Sequence, residues 1–331
     1  MRDDVLVLGA NGFLGLHVVD ALRAEGVEPR CGRRRRSNVL GLLSRRANRV
    51  LADLDEPESL RGAMSGVNTV IHLAGHYPRH SLDPVGTLSL GVQQTRTVLD
   101  AAREAGVRRI VYVSSTATVS PSEVGASTEA DRFDTPPNFG LYHRLKWAME
   151  GVFAEAGDIE VRVALPAGCI GPGDLRVGTS AMLVALARGD DPPHPDGTVS
   201  LVDPRDAAVG IARQALRADA PSRLILSGRS VGLHPLLVEA AALLDVAPPS
   251  PPLSAETMLA RARAAESAAA GKRSALSQEI VELAVYGVPV DGSLATRALG
   301  VRYRSFADSL TDFVRWATPL GFLTPQTEPT P

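Results

Sequence analysis

The chain is nearly without lysine. Of its 35 lysine-plus-arginine residues, two are lysines, Lys146 and Lys272. Cysteine is as scarce. Cys31 and Cys169 are too few for a disulfide framework or a zinc cluster. No apolar run reaches the about 18 residues of a membrane-spanning helix. A large excess of charge is missing as well. The net charge of −2 supplies no electrostatic reason to expect nucleic acid or an anionic membrane. The first residues lack the charged-then-apolar layout of a secretory signal, so a cytoplasmic location is expected. With these classes set aside, 44% hydrophobic and 22% charged residues fit a globular enzyme, and 331 residues can bury a large core.

What the chain keeps is therefore informative. Lys146 closes the run Tyr142-His143-Arg144-Leu145-Lys146. Residues i and i+4 share a helix face, so the phenol and the ammonium project into the same space. A neighbouring cation favours the phenolate, which would let Tyr142 exchange a proton near neutral pH. At the other end, the apolar run Val5–Leu8 reads as a buried strand. It leads into Gly9-Ala10-Asn11-Gly12-Phe13-Leu14-Gly15 and an amphipathic segment through about Glu25. Gly9 suits a tight turn, Gly12 a close backbone approach to a pyrophosphate at a helix N-terminus, and Gly15 close packing of helix on strand. The spacing is G-x-x-G-x-x-G rather than G-x-G-x-x-G.

Strand-like runs at 5–8, 50–52, 69–74, 110–114 and 160–165 alternate with helical stretches, notably 95–105 and 142–156. That rhythm implies a parallel sheet with helices on both faces and ligands at the strands' carboxyl ends. After residue 174 it breaks up. Pro192–Asp196 and Pro248–Pro252 read as rigid loops, 255–270 as helical, and the polar, proline-rich 324–331 as a disordered tail.

The glycine spacing and the Tyr-x-x-x-Lys pair together resemble the short-chain dehydrogenase/reductase superfamily. More narrowly they resemble its extended branch, the epimerase/dehydratase and dihydroflavonol-reductase-like proteins. Asp53-Leu54, Val70–Gly75, Val111–Thr116, Gly171–Asp174 and Val202–Asp206 agree. The resemblance is dense over 1–175, thinner to about 216 and nearly absent beyond. It implies an α/β fold with a Rossmann-type doubly wound parallel sheet and a smaller, mainly helical C-terminal substrate cap. The dinucleotide-binding domain is expected at 1–173 with returning segments near 197–227, and the cap at 174–323.

The same resemblance implies roles. Tyr142 is the proton donor for reduction, and Lys146 binds the nicotinamide ribose and holds the phenolate. A hydroxyl orients the carbonyl, placed at Thr116 with Ser115 as the fallback. Gly9, Asn11, Gly12, Phe13, Leu14 and Gly15 cradle the cofactor. Leu73, Ala74, Gly75 and Ser114 wall it, and Pro166, Cys169 and Ile170 pass near the nicotinamide. Asp53 with Leu54 fits the adenine contact, although Asp53 equally suits a helix N-cap before Glu56-Pro57-Glu58. Arg30–Arg36 is the stretch after the second strand, where NAD-binding relatives carry an acid. Arg33 stands in that slot with Arg34 beside it, and a guanidinium accepts a 2′-phosphate that a carboxylate would repel. NADP(H) is favoured, with NAD(H) the alternative; four consecutive arginines cannot all serve one phosphate.

His76, Tyr77, Arg79 and Gly168 are substrate-side candidates. Metal binding is not expected: Pro78 between His76 and His80 disfavours a helix, and His72 and His143 complete no motif. Trp147 reads as helix packing. Three departures stand out. Gly91 replaces a relay asparagine, Gly168 an asparagine of sugar-nucleotide enzymes, and Leu165 a common arginine. The expected function is NADPH-dependent reduction of a ketone or aldehyde, or oxidation of the alcohol, on a small, fairly apolar molecule. The alternatives are a nucleotide-sugar epimerase or dehydratase with bound NAD, and a non-catalytic NADP-binding sensor. The partners implied are a small-molecule substrate and a second copy, through helices near 91–105 and 140–156.

Overall fold

Val5–Leu8 (β1) is buried at all four positions, as a strand covered on both faces must be. Its side chains alternate: Val5 and Val7 enter one apolar core, Leu6 and Leu8 the other. The computed structural model describes residues 4–75, 81–274 and 276–324. Among them the further strands are Arg30–Arg33 (β2), Asn48–Leu51 (β3), Thr69–His72 (β4), Arg109–Val113 (β5), Glu160–Pro166 (β6), Gly168–Cys169 (β7), Thr198–Val202 (β8), Arg223–Leu226 (β9) and Arg229–Gly232 (β10). Seven form a parallel sheet in the order β3-β2-β1-β4-β5-β6-β9. From β1 the chain moves outward to β3, then returns to β4 on the other side. The crevice at that reversal is where doubly wound sheets bind ligands.

The helices are Phe13–Ala24 (α1), Leu40–Ser44 (α2), Pro57–Met64 (α3), Pro84–Glu104 (α4), Leu141–Ala154 (α5), Ala181–Ala187 (α6), Pro204–Leu216 (α7), Leu233–Leu244 (α8), Ala255–Ala268 (α9), Gln278–Val285 (α10), Ser293–Leu299 (α11) and Phe306–Ala317 (α12). α1, α7 and α11 contribute to the core on one face of the sheet, and α3, α4 and α5 to that on the other. This is the Rossmann-type architecture, with a mainly helical C-terminal region. A small second sheet, β10-β8-β7, packs with α6, α8 and α12 around Leu186, Leu237 and Phe313. The C-terminal half also returns to the large sheet, through β9 and through Ala295 and Leu299 of α11.

Three local expectations need correction. Arg30–Arg33 is itself the second strand rather than the stretch after it. Its end residues are arginines, so no apolar run marks it; Cys31 and Gly32 are buried while Arg30 reaches out to the Ser65 carbonyl at 2.6 Å. α4 begins at Pro84, well before Thr95, because Asp83 caps it by accepting from the Gly86 amide at 2.8 Å. Asp53 does not cap α3. Glu56 holds that position, and Asp53 Oδ1 accepts from the Asp55 amide at 3.3 Å. Among the described residues no helix is long and apolar enough to cross a membrane.

Candidate active site

At the β1–α1 turn the site is made of backbone. Gly9 has φ +81°, and a Cβ there would lie 2.8 Å from the Ala74 amide nitrogen. That contact exists because β4 continues beside the turn, with the Leu73 amide donating to the Leu8 carbonyl at 3.0 Å. Gly12 is the N-cap of α1, and its amide donates to Gly9 O at 2.9 Å. A Cβ at Gly15 would collide with Gly9 O. The first turn of α1 holds no acidic residue and no side-chain cap, so its leading amides and positive dipole end are left for an anion. A cradle that three side chains would fill, open at a helix N-terminus, fits a dinucleotide diphosphate. Phe13 and Leu14 begin the helix, and Asn11 Nδ2 donates to the Asn38 carbonyl at 3.2 Å. Across the cleft His17 Nε2 lies 2.9 Å from Pro172 O, which brings the Gly171–Asp174 segment over α1.

Leu8 is paired with Gly32, so Arg33 is level with the glycine turn. It is half-buried, with Nη1 donating to the Arg34 carbonyl at 3.4 Å. Arg34, Arg35 and Arg36 are exposed, and Arg35 lies 3.6 Å from Glu56. Leu54 is buried, Asp53, Leu73 and Ala74 are half-buried, and Gly75 is exposed.

At the carboxyl end of β5 the site is made of side chains. Ser114 is buried and its hydroxyl donates to Glu150 Oε1 at 2.5 Å. Ser115 Oγ accepts from the Ala117 amide at 3.2 Å and opens the short 3-10 turn Thr116–Thr118. The half-buried Thr116 hydroxyl makes no hydrogen bond among the described residues. Thr118 Oγ1 donates to Glu150 Oε1 at 2.6 Å. α5 packs against this turn. Tyr142 sits in its first turn with 8% of its surface exposed. One turn on, Lys146 Nζ donates to Val113 O at 3.1 Å and to the Tyr112 hydroxyl at 3.3 Å, 5.0 Å from that ring's centre. Burial pulls the Lys146 ammonium down to about 8, against the pull of the Glu150 carboxylate. Burial also pushes Tyr112 well above its ordinary value, so it accepts as a neutral phenol.

Pro166 ends β6, Gly168 and Cys169 form β7, and Ile170 is buried. Burial pushes the Cys169 thiol up to about 12. Gly168 lies tight against β8, where a Cβ would be 3.2 Å from Ser200 O. Gly91 has a steric cause, since a Cβ there would run into Leu145; that leucine occupies the space an asparagine side chain would need. Leu165 lies wholly within the sheet core. Trp147 Nε1 donates to Phe133 O at 2.9 Å. His72 is fully buried against Tyr112 and Phe153, with ring centres 5.7 and 5.9 Å away, and neither ring nitrogen has a partner among the described residues. Burial takes it down to about 3, and His143 to about 4. Among the described residues no three His, Cys, Asp or Glu side chains converge as metal ligands. His76, Tyr77, Arg79 and His80, like the 325–331 tail, lie outside the described residues.

Sequence reasoning missed Glu150 and Arg223. Glu150 continues the four-residue spacing of Tyr142 and Lys146, a signal that was present. Arg223 Nη1 donates to Glu150 Oε2 at 2.5 Å across 73 residues of chain, and no local pattern announces it.

Residues 5–193 match the NAD dependent epimerase/dehydratase family, and the chain belongs to that family. It is thus of the extended short-chain dehydrogenase/reductase type, whose members are NAD(P)-dependent oxidoreductases, epimerases and dehydratases. A putative dihydroflavonol 4-reductase of Synechocystis sp. is 26% identical over 337 residues, 98% of each chain. Cinnamoyl-CoA reductase 1 of Oryza sativa subsp. japonica is 30% identical over 244 residues, 68% of this chain and 71% of that protein. The crystal structure of gox2253 superposes with TM-score 0.83 at 26% identity over 97% of this chain and 100% of that one. A dTDP-glucose 4,6-dehydratase from Streptomyces venezuelae, crystallised with NAD, shares the fold at TM-score 0.74 and 22% identity, covering 98% of this chain and 99% of that one.

Proposed function

We propose that the protein is an NADPH-dependent reductase of a ketone or aldehyde on a small, fairly apolar molecule, working in reverse as an alcohol dehydrogenase. The observation that carries the reading is Lys146. Its ammonium is anchored on Val113 O and the Tyr112 hydroxyl at the end of β5, a helical turn from Tyr142 and beside the turn that holds Thr116. The nicotinamide, when bound, supplies hydride. Tyr142 gives its proton to the carbonyl oxygen, Lys146 holds the phenolate, and the Thr116 hydroxyl donates to the same oxygen. Ser115 is the fallback: its oxygen accepts from Ala117, and its proton stays free for the same role.

Arg33, with Arg34, takes the 2′-phosphate at the level of the glycine turn, which favours NADP(H) over NAD(H). Leu165 and Gly168 stand where sugar-nucleotide enzymes carry polar groups, which supports an apolar substrate. The relatives named as a putative dihydroflavonol 4-reductase and a cinnamoyl-CoA reductase point the same way. Residues 174–323 serve as the substrate cap, Gly168 faces the substrate, and α4 and α5 provide the contact between two copies.

The test is NADPH oxidation with a panel of aromatic and alicyclic ketones and aldehydes. Tyr142→Phe should lower turnover at least about 100-fold, while the Kd for NADPH stays within a few-fold. Persistent turnover would remove Tyr142 as the donor. Turnover of UDP-glucose, with tightly held NAD and no ketone reduction, would establish the epimerase alternative instead.

A further inference from the structure

Three residues of α5 repeat at four-residue spacing: Tyr142, Lys146 and Glu150. Such a row lies along one helix face. Both ends of the Ser114–Thr118 segment converge on the last of them. The Ser114 hydroxyl donates to Glu150 Oε1 at 2.5 Å and the Thr118 hydroxyl to the same oxygen at 2.6 Å. Thr116 lies between these two ties. The other carboxylate oxygen takes Arg223 Nη1 of β9 at 2.5 Å, and Arg223 Nη2 turns back to Thr118 Oγ1 at 3.2 Å and Thr118 O at 3.4 Å. Arg223 is 5% exposed and the Glu150 side chain 17%. A charge so enclosed is tolerated only with its partners in place.

We propose that Glu150 is a positioning residue. It ties the turn carrying Thr116 to the helix face carrying Tyr142 and Lys146, and it keeps Lys146 an ammonium, with Arg223 as counter-charge. The part played in turnover rests on the reductase reading above; the tie and its electrostatic effect do not. The ionisable groups facing Lys146 are Tyr142 and Glu150 on its own helix, Tyr112 on β5 and His72 on β4. His72 is neutral and Tyr112 is protonated, and Glu150 is the one carboxylate among them. Burial opposes the ammonium, and this carboxylate offsets part of that cost.

The chain's two lysines make the effect readable. Trace acetylation of the full-length protein across pH, quantified by mass spectrometry, reports the protonation midpoint of Lys146 with Lys272 as internal reference. Glu150→Gln should lower the Lys146 midpoint by about one pH unit. Thr118→Val removes one tie but no charge and should leave it within a few tenths. The alkaline limb of ketone reduction should move down with the midpoint in Glu150→Gln. If that variant does not fold because Arg223 is left unpaired, Glu150→Gln/Arg223→Met removes both charges and should still lower the midpoint. An unmoved midpoint overturns the proposal. A lowered midpoint with an unmoved turnover profile supports the electrostatic effect of Glu150 and removes Lys146 from the reaction, so the two readings fail separately.

Discussion

The dinucleotide end and the reaction end of the cleft are built from different materials. Where β1 meets α1, three glycines and the leading amides of a helix form the surface; a side chain at Gly9 or Gly15 collides with the Ala74 amide or Gly9 O, and one at Gly12 crowds Gly9 O at 3.2 Å. Where β5 meets α5, backbone plays a minor part. Hydroxyls, a carboxylate, an ammonium and a guanidinium drawn from β5, the turn after it, α5 and β9 hold one another in place. The first region should therefore respond to volume and backbone freedom, and the second to charge and pH.

The largest effect should come from filling the backbone site. Gly9→Ala forces a left-handed residue, at about 1–2 kcal/mol, and crowds Ala74, at about 1–3 kcal/mol. NADPH affinity should fall about 100-fold in a fluorescence titration, with a lower melting temperature. Near-normal binding would show that the turn yields, and would break the contrast.

The side-chain region should be the source of acid sensitivity. His72 and His143 titrate at about 3 and about 4 when folded but near 6.5 when unfolded. Below about 6.5 the unfolded chain binds more protons. Stability is thus whole above that pH and falls as pH drops towards 4. From pH 6.5 to 5.5 the two should together cost about 2 kcal/mol in urea melts, and His72→Leu should remove about half of that slope. A stability flat between pH 7 and 5 would mean that these imidazoles find partners on protonation.

The smallest effect sharpens the comparison within the dinucleotide end, where Arg33 is a side-chain exception. Arg33→Ala should raise the NADPH Kd about tenfold, the worth of one charge-assisted hydrogen bond, and leave that for NADH within about threefold. Equal changes for both cofactors would exclude Arg33 from the 2′-phosphate.

The two regions also differ in how legible they were. The glycine cradle lies within residues 9–15, so strand, turn and helix could be read from neighbours in the chain. Tyr142 and Lys146 were equally local, separated by one helical turn. Arg30–Arg33 hid as a strand because its polar ends carry no apolar signature, and its pairing with β1 and β3 decides it. The early start of α4 depended on one aspartate cap. Gly91 could be recognised as a departure but not explained until Leu145 was seen to occupy its side-chain space.

By itself the sequence determined the alternation of strand and helix, the glycine turn and the pairing of a phenol with an ammonium. Each of these follows from residue types a few positions apart. Only the tertiary structure decided which charges share a cavity. Arg223 reaches Glu150 because β9 joins the sheet beside β6, and His72 loses its proton because Tyr112 and Phe153 exclude water from it. Desolvation and long-range pairing are properties of assembled surfaces, and no spacing along the chain encodes them.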